Sequence, residues 1–411
     1  MARWGSPPSA TSYEPATNRD RRGAGLTLAE HFVSDDASLA DVVRDAAAAP
    51  LYSVDTEFHR ERTYFPRLAL VQLQWGNTNV LIDPLAVDPR GLAPLLAGDG
   101  LAVLHAAQQD LEVMQYAVGC VPSRMFDTQL AAGFIGYSTP SLSNLVQSRL
   151  KVTLSKGDRL TDWMRRPLTA SQSEYARSDV KYLEQLYHSI SARLSELGRS
   201  SWVAEACEDL RLRPYGESNP DDAWLRIKDA RALKGAARGA AQALAAWRER
   251  RAMATNVPLR RVMSDMALIG IAQSLPTSTE TLAHARGVDE RYLGGSISRE
   301  ILAAVREGRE RHVEVESNGH DPLEKRLRPA VTLVTAWIGE LAHQNEIDPT
   351  LVATNRDIVA LLAGSDSRLA HGWRRELVGK DIQRLLEGEM GLSFDRDGRL
   401  RLIPAKEQEQ E

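Results

Sequence analysis

The sequence predicts an α/β domain followed by two small all-α domains, and three observations predict it. Short β-rich runs are confined to the stretch from Leu51 to Ala106, helical patterns dominate after it, and a cluster of turn-forming residues breaks the chain near residue 215. At 411 residues the chain exceeds one ordinary domain and carries enough apolar content for two or three cores.

The opening segment, residues 1–25, mixes Pro, Ser and Arg without an apolar run and reads as a flexible tail with too little surface to bury. It lacks the apolar core of a secretory signal, and no later stretch has the roughly 18 uninterrupted apolar residues of a membrane span. The chain is therefore expected to be neither secreted nor membrane-embedded. Its only cysteines, Cys120 and Cys207, allow neither a disulfide framework nor a thiolate metal cluster, which fits a reducing, cytoplasmic setting. No obligate protein partner is evident.

Residues 26–205 are expected to form the first domain. The runs LYSVDTEF, LALVQLQW, NVLIDP and LAVLHA read as strands, and short polar links such as GNTN make the first three antiparallel neighbours. The segments DLEVMQYAV, TQLAAGFIG, SLSNLVQSRL and QSEYARSDVKYLEQLYHSISARLSEL read as helices, giving a mixed sheet flanked by helices. RLRPYGESNPDD then marks a boundary, and everything from Trp224 onward reads as helix. A weak echo between the segments around Trp247 and Trp337, about 90 residues apart, suits two tandem helical domains better than a solenoid. They are placed at 216–312 and 320–403, joined by VEVESNGHDPLEK and followed by a flexible tail at 404–411.

Four acids stand out. Alternate residues of a strand share a face, so Asp55 and Glu57 project side by side about 7 Å apart along the chain. A solvated strand edge would explain the pair equally well, but an acid in apolar surroundings needs a charge partner. Asp179 lies four residues after Tyr175, on a helical stripe that continues into Leu183, Leu186, Tyr187 and Ile190. The stripe faces the core, and Thr169 with Gln172 forms a capping box that sets its phase. A structural salt bridge is the plain alternative there. Asp110 falls in the first turn of DLEVMQYAV, where an acid complements the helix dipole in any case. Together, four oxygen ligands without a competing Cys or His cluster suit hard cations such as Mg²⁺ or Mn²⁺ rather than Zn²⁺. Two such ions about 4 Å apart can activate a water and stabilise the leaving oxygen of a phosphodiester. None of the nine scattered histidines, His59 and His105 included, makes a persuasive general base.

The sequence VDTEFHRERTYFPRLALVQL resembles the first exonuclease motif of the ribonuclease D family, within the tyrosine-containing subclass of the DEDD exonucleases. LHAAQQDLEVM resembles the second motif and YARSDVKYL the third, with the Y-x-x-x-D spacing of Tyr175 and Asp179 as the subclass mark. The segment from TDWMRRPLT onward and the helical C-terminus resemble the paired HRDC-type domains shared with RecQ-type helicases. The resemblance implies a ribonuclease H-like fold for the α/β domain and a 3′-to-5′ exoribonuclease using two divalent ions. Asp55, Glu57 and Asp179 would hold the ion that activates water, and Asp55 with Asp110 the other. Tyr175 would orient the attacking water, because a phenol with an unperturbed pKa near 10 is a poor base at neutral pH. Phe58 would stack on the terminal base and Arg60 or Arg62 would meet phosphates, although such an arginine serves equally as a structural ion-pair partner.

Implied by the same resemblance is a substrate with a free 3′ end: RNA, in particular tRNA precursors and other small structured RNAs, trimmed to release nucleoside 5′-monophosphates. Two rivals stand beside it. One is a DNA 3′-to-5′ exonuclease, because discrimination depends on contacts near the 2′-OH that no spacing reveals. The other is an inactive nucleic-acid-binding scaffold, against which the presence of all four acids and Tyr175 argues. Between Trp224 and Arg261, ten Lys and Arg stand against Asp229 and Glu249, although the whole chain has a formal charge of −4. Beside a phosphodiesterase site this run is read as phosphate-binding, with solvated helix faces as the alternative.

Overall fold

A computed structural model describes residues 29–154, 161–216, 219–313 and 322–405. The expected N-terminal tail and most of the expected C-terminal one lie outside these residues.

Six strands form one mixed sheet: β1 (Ala29–Val33), β2 (Leu51–His59), β3 (Arg67–Trp75), β4 (Thr78–Ile82), β5 (Leu101–Leu104) and β6 (Met125–Asp127). Their spatial order is β1-β4-β3-β2-β5-β6. As expected, β2, β3 and β4 are antiparallel, whereas β1 joins β4, β5 joins β2, and β6 joins β5 in parallel. The strands β1 and β6 escape the sequence reading because five and three residues are too few to show a two-residue period. Their neighbours in the sheet, not their own pattern, make them strands.

On one face, Tyr52, Val54, Val71, Leu73 and Ile82 pack under α1 (Asp36–Ala47) and α2 (Gln108–Ala117), through Leu39, Val43, Leu111 and Met114. The other face is covered by α3 (Thr128–Gly133), α4 (Leu142–Leu150), α5 (Ala170–Lys181), α6 (Leu183–Glu196) and α7 (Ser200–Arg211). The long run read as one helix is two, α5 and α6. They part at Tyr182 (φ −110, ψ 1), where Gln74 of β3 donates to the Lys181 carbonyl at 3.2 Å. The boundary expected at residue 205 also moves. It would cut α7, whose Val203, Ala206, Cys207 and Leu210 are buried in the nuclease cores.

Beyond Pro220, the helices α8 (Gly235–Thr255), α9 (Asp265–Ser274) and α10 (Gly295–Glu310) enclose a separate core around Trp224, Leu244, Leu268, Ile271, Tyr292 and Ile301. Close approach of α8 and α10 requires glycine, since a Cβ on Gly239 would lie 2.1 Å from the Gly308 carbonyl oxygen. A third unit begins with α11 (Pro322–Gln344), which takes up the end of the expected linker, and continues through α12 (Asn355–Leu362) and α13 (Lys380–Leu386). Contrary to the sequence reading, helix does not persist to the end. The last segment is an antiparallel hairpin of β7 (Met390–Phe394) and β8 (Leu400–Pro404), so Pro404 belongs to a strand and not to a tail. Its turn is made by Asp395, which accepts from the Asp397 and Arg399 amides, and by Gly398 at φ +76.

The third unit docks on α3 and α7. Trp373 stacks on Trp202 (4.9 Å, 12°) and meets the edge of Phe134 at 5.4 Å, while Arg199 donates to the carbonyls of Phe134 (2.8 Å) and Asn345 (2.6 Å). Removal of the indole leaves a cavity at this junction. Trp373→Ala is expected to cost about 3–5 kcal/mol and to loosen the third unit first. Thermal unfolding combined with limited proteolysis checks this, and a variant as protease-resistant and heat-stable as the parent contradicts it.

Candidate active site

Alternation along β2 sends Ser53, Asp55 and Glu57 to the face covered by α5, and a register shift between Glu57 and Phe58 ends the alternation there. Asp179 approaches from α5. One carboxylate oxygen from each of Asp55, Glu57 and Asp179 lies within 4.8 Å of the others. The helix phase differs by one position from the sequence reading: Gln172, Ala176 and Val180 form the buried stripe of α5, and Tyr175 and Asp179 flank it half-buried. That offset gives the Asp179 carboxylate access to the cluster and keeps it out of the core.

Asp110 arrives from α2, on the other side of the strand. It is 6% exposed and accepts a hydrogen bond from the Thr56 hydroxyl, which alternation directs to that face. It stands outside the three-oxygen cluster, yet its charge is felt by both Asp55 and Glu57. The start of α2 is fixed by Asp127, whose carboxylate accepts the amides of Ala106 (3.0 Å) and Ala107 (2.9 Å) and also caps α3 through Gln129 at 2.8 Å. Sequence reasoning passed over Asp127. An Asp-Thr pair ahead of a helical run was the available signal.

Tyr175 stands one turn before Asp179, its ring 6.1 Å from that of Trp163. Trp163 is buried with Ala69, Leu70, Leu81 and Ala176, and Arg166 pins this segment by a two-armed pair with Asp83 at 2.7 Å on each arm. Of the residues expected at substrate, Phe58 packs half-buried against the core. Arg60 lies 5.4 Å over its ring and pairs with Glu112, and Arg62 is exposed. The ion pair is the structural role already open for Arg60.

The loop carrying these arginines is held from outside the sheet. Tyr64 donates its hydroxyl to Glu249 of α8, a carboxylate only 2% exposed that also pairs with Arg226 at 2.7 Å, and the Phe65 amide donates to Asn256 at 3.1 Å. The first helical unit therefore sits at the rim of the site. Within its basic run, Arg248 pairs with Asp265, Arg251 with Glu300, and Arg238 with backbone carbonyls. Lys228, Lys234, Arg250, Arg260 and Arg261 remain exposed.

Burial first, and then the neighbouring acids, set the electrostatics. Burial, with Asp179 and Asp110 nearby, pushes Glu57 up to about 8. Asp110 is pushed up to about 7 by burial, against the lowering effect of the Thr56 hydroxyl. Asp55 is raised well above the carboxylate range by burial and by the other three acids. An all-oxygen donor set whose members repel one another is relieved by a dication, so the residues fit a hard divalent metal.

Known proteins are similar to this chain along most of its length. Over 382 residues the chain is 37% identical to a ribonuclease D of Jannaschia sp., covering 88% of this chain and 97% of the relative. Over 373 residues it is 36% identical to that of Acidiphilium cryptum, covering 87% and 93%. The chain belongs to the ribonuclease D family. It is a metal-dependent 3′-to-5′ exoribonuclease. Residues 31–195 match the 3′-5′ exonuclease family and residues 237–305 the HRDC domain. Escherichia coli RNase D, described as an exoribonuclease involved in structured RNA processing, has a similar structure. The TM-score is 0.76 at 29% identity, over 87% of this chain and 98% of that one. The fold class expected from sequence is that of the ribonuclease D family, and no described helix is long and apolar enough to cross a membrane.

The raised carboxyls make stability depend on pH. Between the ordinary carboxylate range near 4 and the raised values of about 7 and 8, the folded protein holds protons on Asp110 and Glu57 that the unfolded chain has released. Stability of the metal-free protein is therefore expected to fall as pH rises through this window. Saturating Mn²⁺, which binds the ionised form, should raise the melting temperature more at pH 8 than at pH 5.5. Melting curves at both pH values, with chelator and with Mn²⁺, provide the check, and an equal Mn²⁺ effect at both contradicts it.

Proposed function

We propose that this chain removes nucleotides one at a time from the 3′ end of RNA, releasing nucleoside 5′-monophosphates, with two divalent ions held by its four acids. The observation that carries the reading is the convergence of three carboxylate oxygens within 4.8 Å, with a fourth, buried carboxylate beside them. In this reading Asp55, Glu57 and Asp179 hold one ion, and Asp55 and Asp110 the other. Bound there, Mg²⁺ or Mn²⁺ supplies a water of lowered pKa and neutralises charge developing on the leaving oxygen. Tyr175 orients the attacking water through its hydroxyl. Phe58 stacks on the terminal base. Arg62, with Arg60 where its pair with Glu112 opens, meets the phosphates.

The exposed cations of the first helical unit extend the phosphate track away from the rim. Several exposed cations outside the nuclease domain suit tRNA precursors and other small structured RNAs better than dinucleotides, and the two free cysteines suit a cytoplasmic setting. We assign the nuclease domain to residues 26–211 and the HRDC-type domains to 216–312 and 320–404.

Asp55→Asn and Asp179→Asn are each expected to reduce cleavage of a 3′-labelled RNA at least a thousandfold, while metal-free binding of the same RNA changes less than threefold. Undiminished cleavage by both variants would show that the chemistry lies elsewhere. The parent enzyme should degrade single-stranded RNA in preference to DNA of the same sequence, and the opposite preference makes it a DNA exonuclease.

Neutralising Lys228, Arg250, Arg260 and Arg261 together should weaken RNA binding and flatten the plot of log affinity against log salt. The slope is expected to shrink by about 0.7 for each phosphate that is no longer neutralised. An unchanged slope returns these side chains to the role of a solvated face.

A further inference from the structure

Gln72 lies in the middle of β3, 0% exposed, and neither its Oε1 nor its Nε2 meets a hydrogen-bond partner among the described residues. Buried carboxamides are normally bonded, because desolvating both a donor and an acceptor without replacement is unfavourable. Two neighbouring polar side chains on the same face obey that rule, whereas the buried Ser53 hydroxyl, like Gln72, meets no partner among the described residues. Asn79 donates to Gln74 at 2.9 Å, and Gln74 donates to the Lys181 carbonyl at 3.2 Å. Packing alone does not call for an amide at this position, since Leu70 precedes it on the same face and Leu81 is its partner on β4.

What sets Gln72 apart is its place in the register. It pairs directly with Asp55 across the antiparallel β2–β3 ladder, so the two side chains leave the same face with Cβ atoms about 4.5–5.5 Å apart. A glutamine side chain spans that distance. In the reading above, Asp55 is the one carboxylate that serves both ions, and its orientation is the most constrained of the four. A ligating carboxylate is ordinarily held by a hydrogen bond from behind.

Building on the two-ion reading, we propose that Gln72 is a positioning residue for the metal site. Its Nε2 donates to the Asp55 carboxylate in the ion-bound protein and fixes the angle at which both carboxylate oxygens face the ions. The sheet holds the residue opposite Asp55, and because its amide is engaged nowhere else among the described residues, that donation requires no other bond to be broken.

The test uses the full chain and Mn²⁺ alone as the probe. Gln72→Met keeps the length and volume of the side chain without its amide, and Gln72→Leu is a second apolar variant. Mn²⁺ affinity is read by electron paramagnetic resonance of the free ion, and metal-free stability by melting temperature. The expected result is Mn²⁺ binding weaker by on the order of ten- to a hundredfold. The metal-free melting temperature should stay the same or rise, because an unsatisfied buried amide has been removed. Unchanged affinity overturns the proposal. So does weaker binding accompanied by a matching loss of metal-free stability, or failure of both variants to fold, since each makes Gln72 purely structural. Asp55→Asn in the same titration separates the two levels of inference. Retention of Mn²⁺ by that variant removes the carboxylate site itself, whereas its loss there with retention in the Gln72 variants removes only the positioning role.

Discussion

Holding the oxygens of Asp55, Glu57 and Asp179 within 4.8 Å of one another, with Asp110 buried beside them, sets like charges together where water is scarce. Unrestrained side chains would splay apart or stay protonated, and the raised carboxyls record that tendency. The fold resists it by mounting each acid on an element fixed somewhere else. β2 is paired on both edges, with β3 and with β5. α5 begins at the Thr169–Gln172 capping box and follows the segment tied down by Arg166 and Asp83. α2 is started by Asp127, which binds the amides of Ala106 and Ala107 just ahead of it. A site on rigid elements holds its geometry more closely than one built from loops, and this one tolerates its own repulsion for that reason.

The two helical units attach to this scaffold by different physics. The third unit is joined by aromatic stacking and a buried arginine, Trp373 on Trp202 and Arg199 between two carbonyls, on α3 and α7 rather than at the carboxylates. The first helical unit touches the rim of the site through polar contacts: Tyr64 to Glu249, and the Phe65 amide to Asn256. It thereby holds the loop that carries Arg60 and Arg62, and it bears exposed cations of its own. The excess of Lys and Arg in the basic run overstates what is offered to phosphate, because Arg226, Arg238, Arg248 and Arg251 are occupied within the unit itself.

Legibility in the sequence followed the range of the interaction. Features whose chemistry is local were readable from spacing: the Asp55–Glu57 pair on one strand face, the capping box before α5, and the three central strands with their polar links. Errors arose where the deciding partner is distant in sequence. β1 and β6 are strands only because β4 and β5 pair with them. The break at Tyr182 coincides with a hydrogen bond from β3, and α7 belongs to the nuclease because its apolar side lands on that core and not on the helices that follow it. The terminal hairpin was the exception, since its Asp-Arg-Asp-Gly turn is local and readable, and it was overlooked behind the helical pattern upstream.

By itself, the sequence determined the donor chemistry of the site, its family, and the division into a sheet-bearing domain and helical units, because motifs and periodicities survive in one dimension. The tertiary structure alone decided which acids share a point and which stands behind the strand. It also decided that Arg60 is engaged by Glu112, that α8 reaches the rim through Glu249, and that an amide from β3 lies buried beside Asp55. Each of these is a matter of register or packing between elements far apart in the chain, and no spacing along the sequence encodes a distance across the fold.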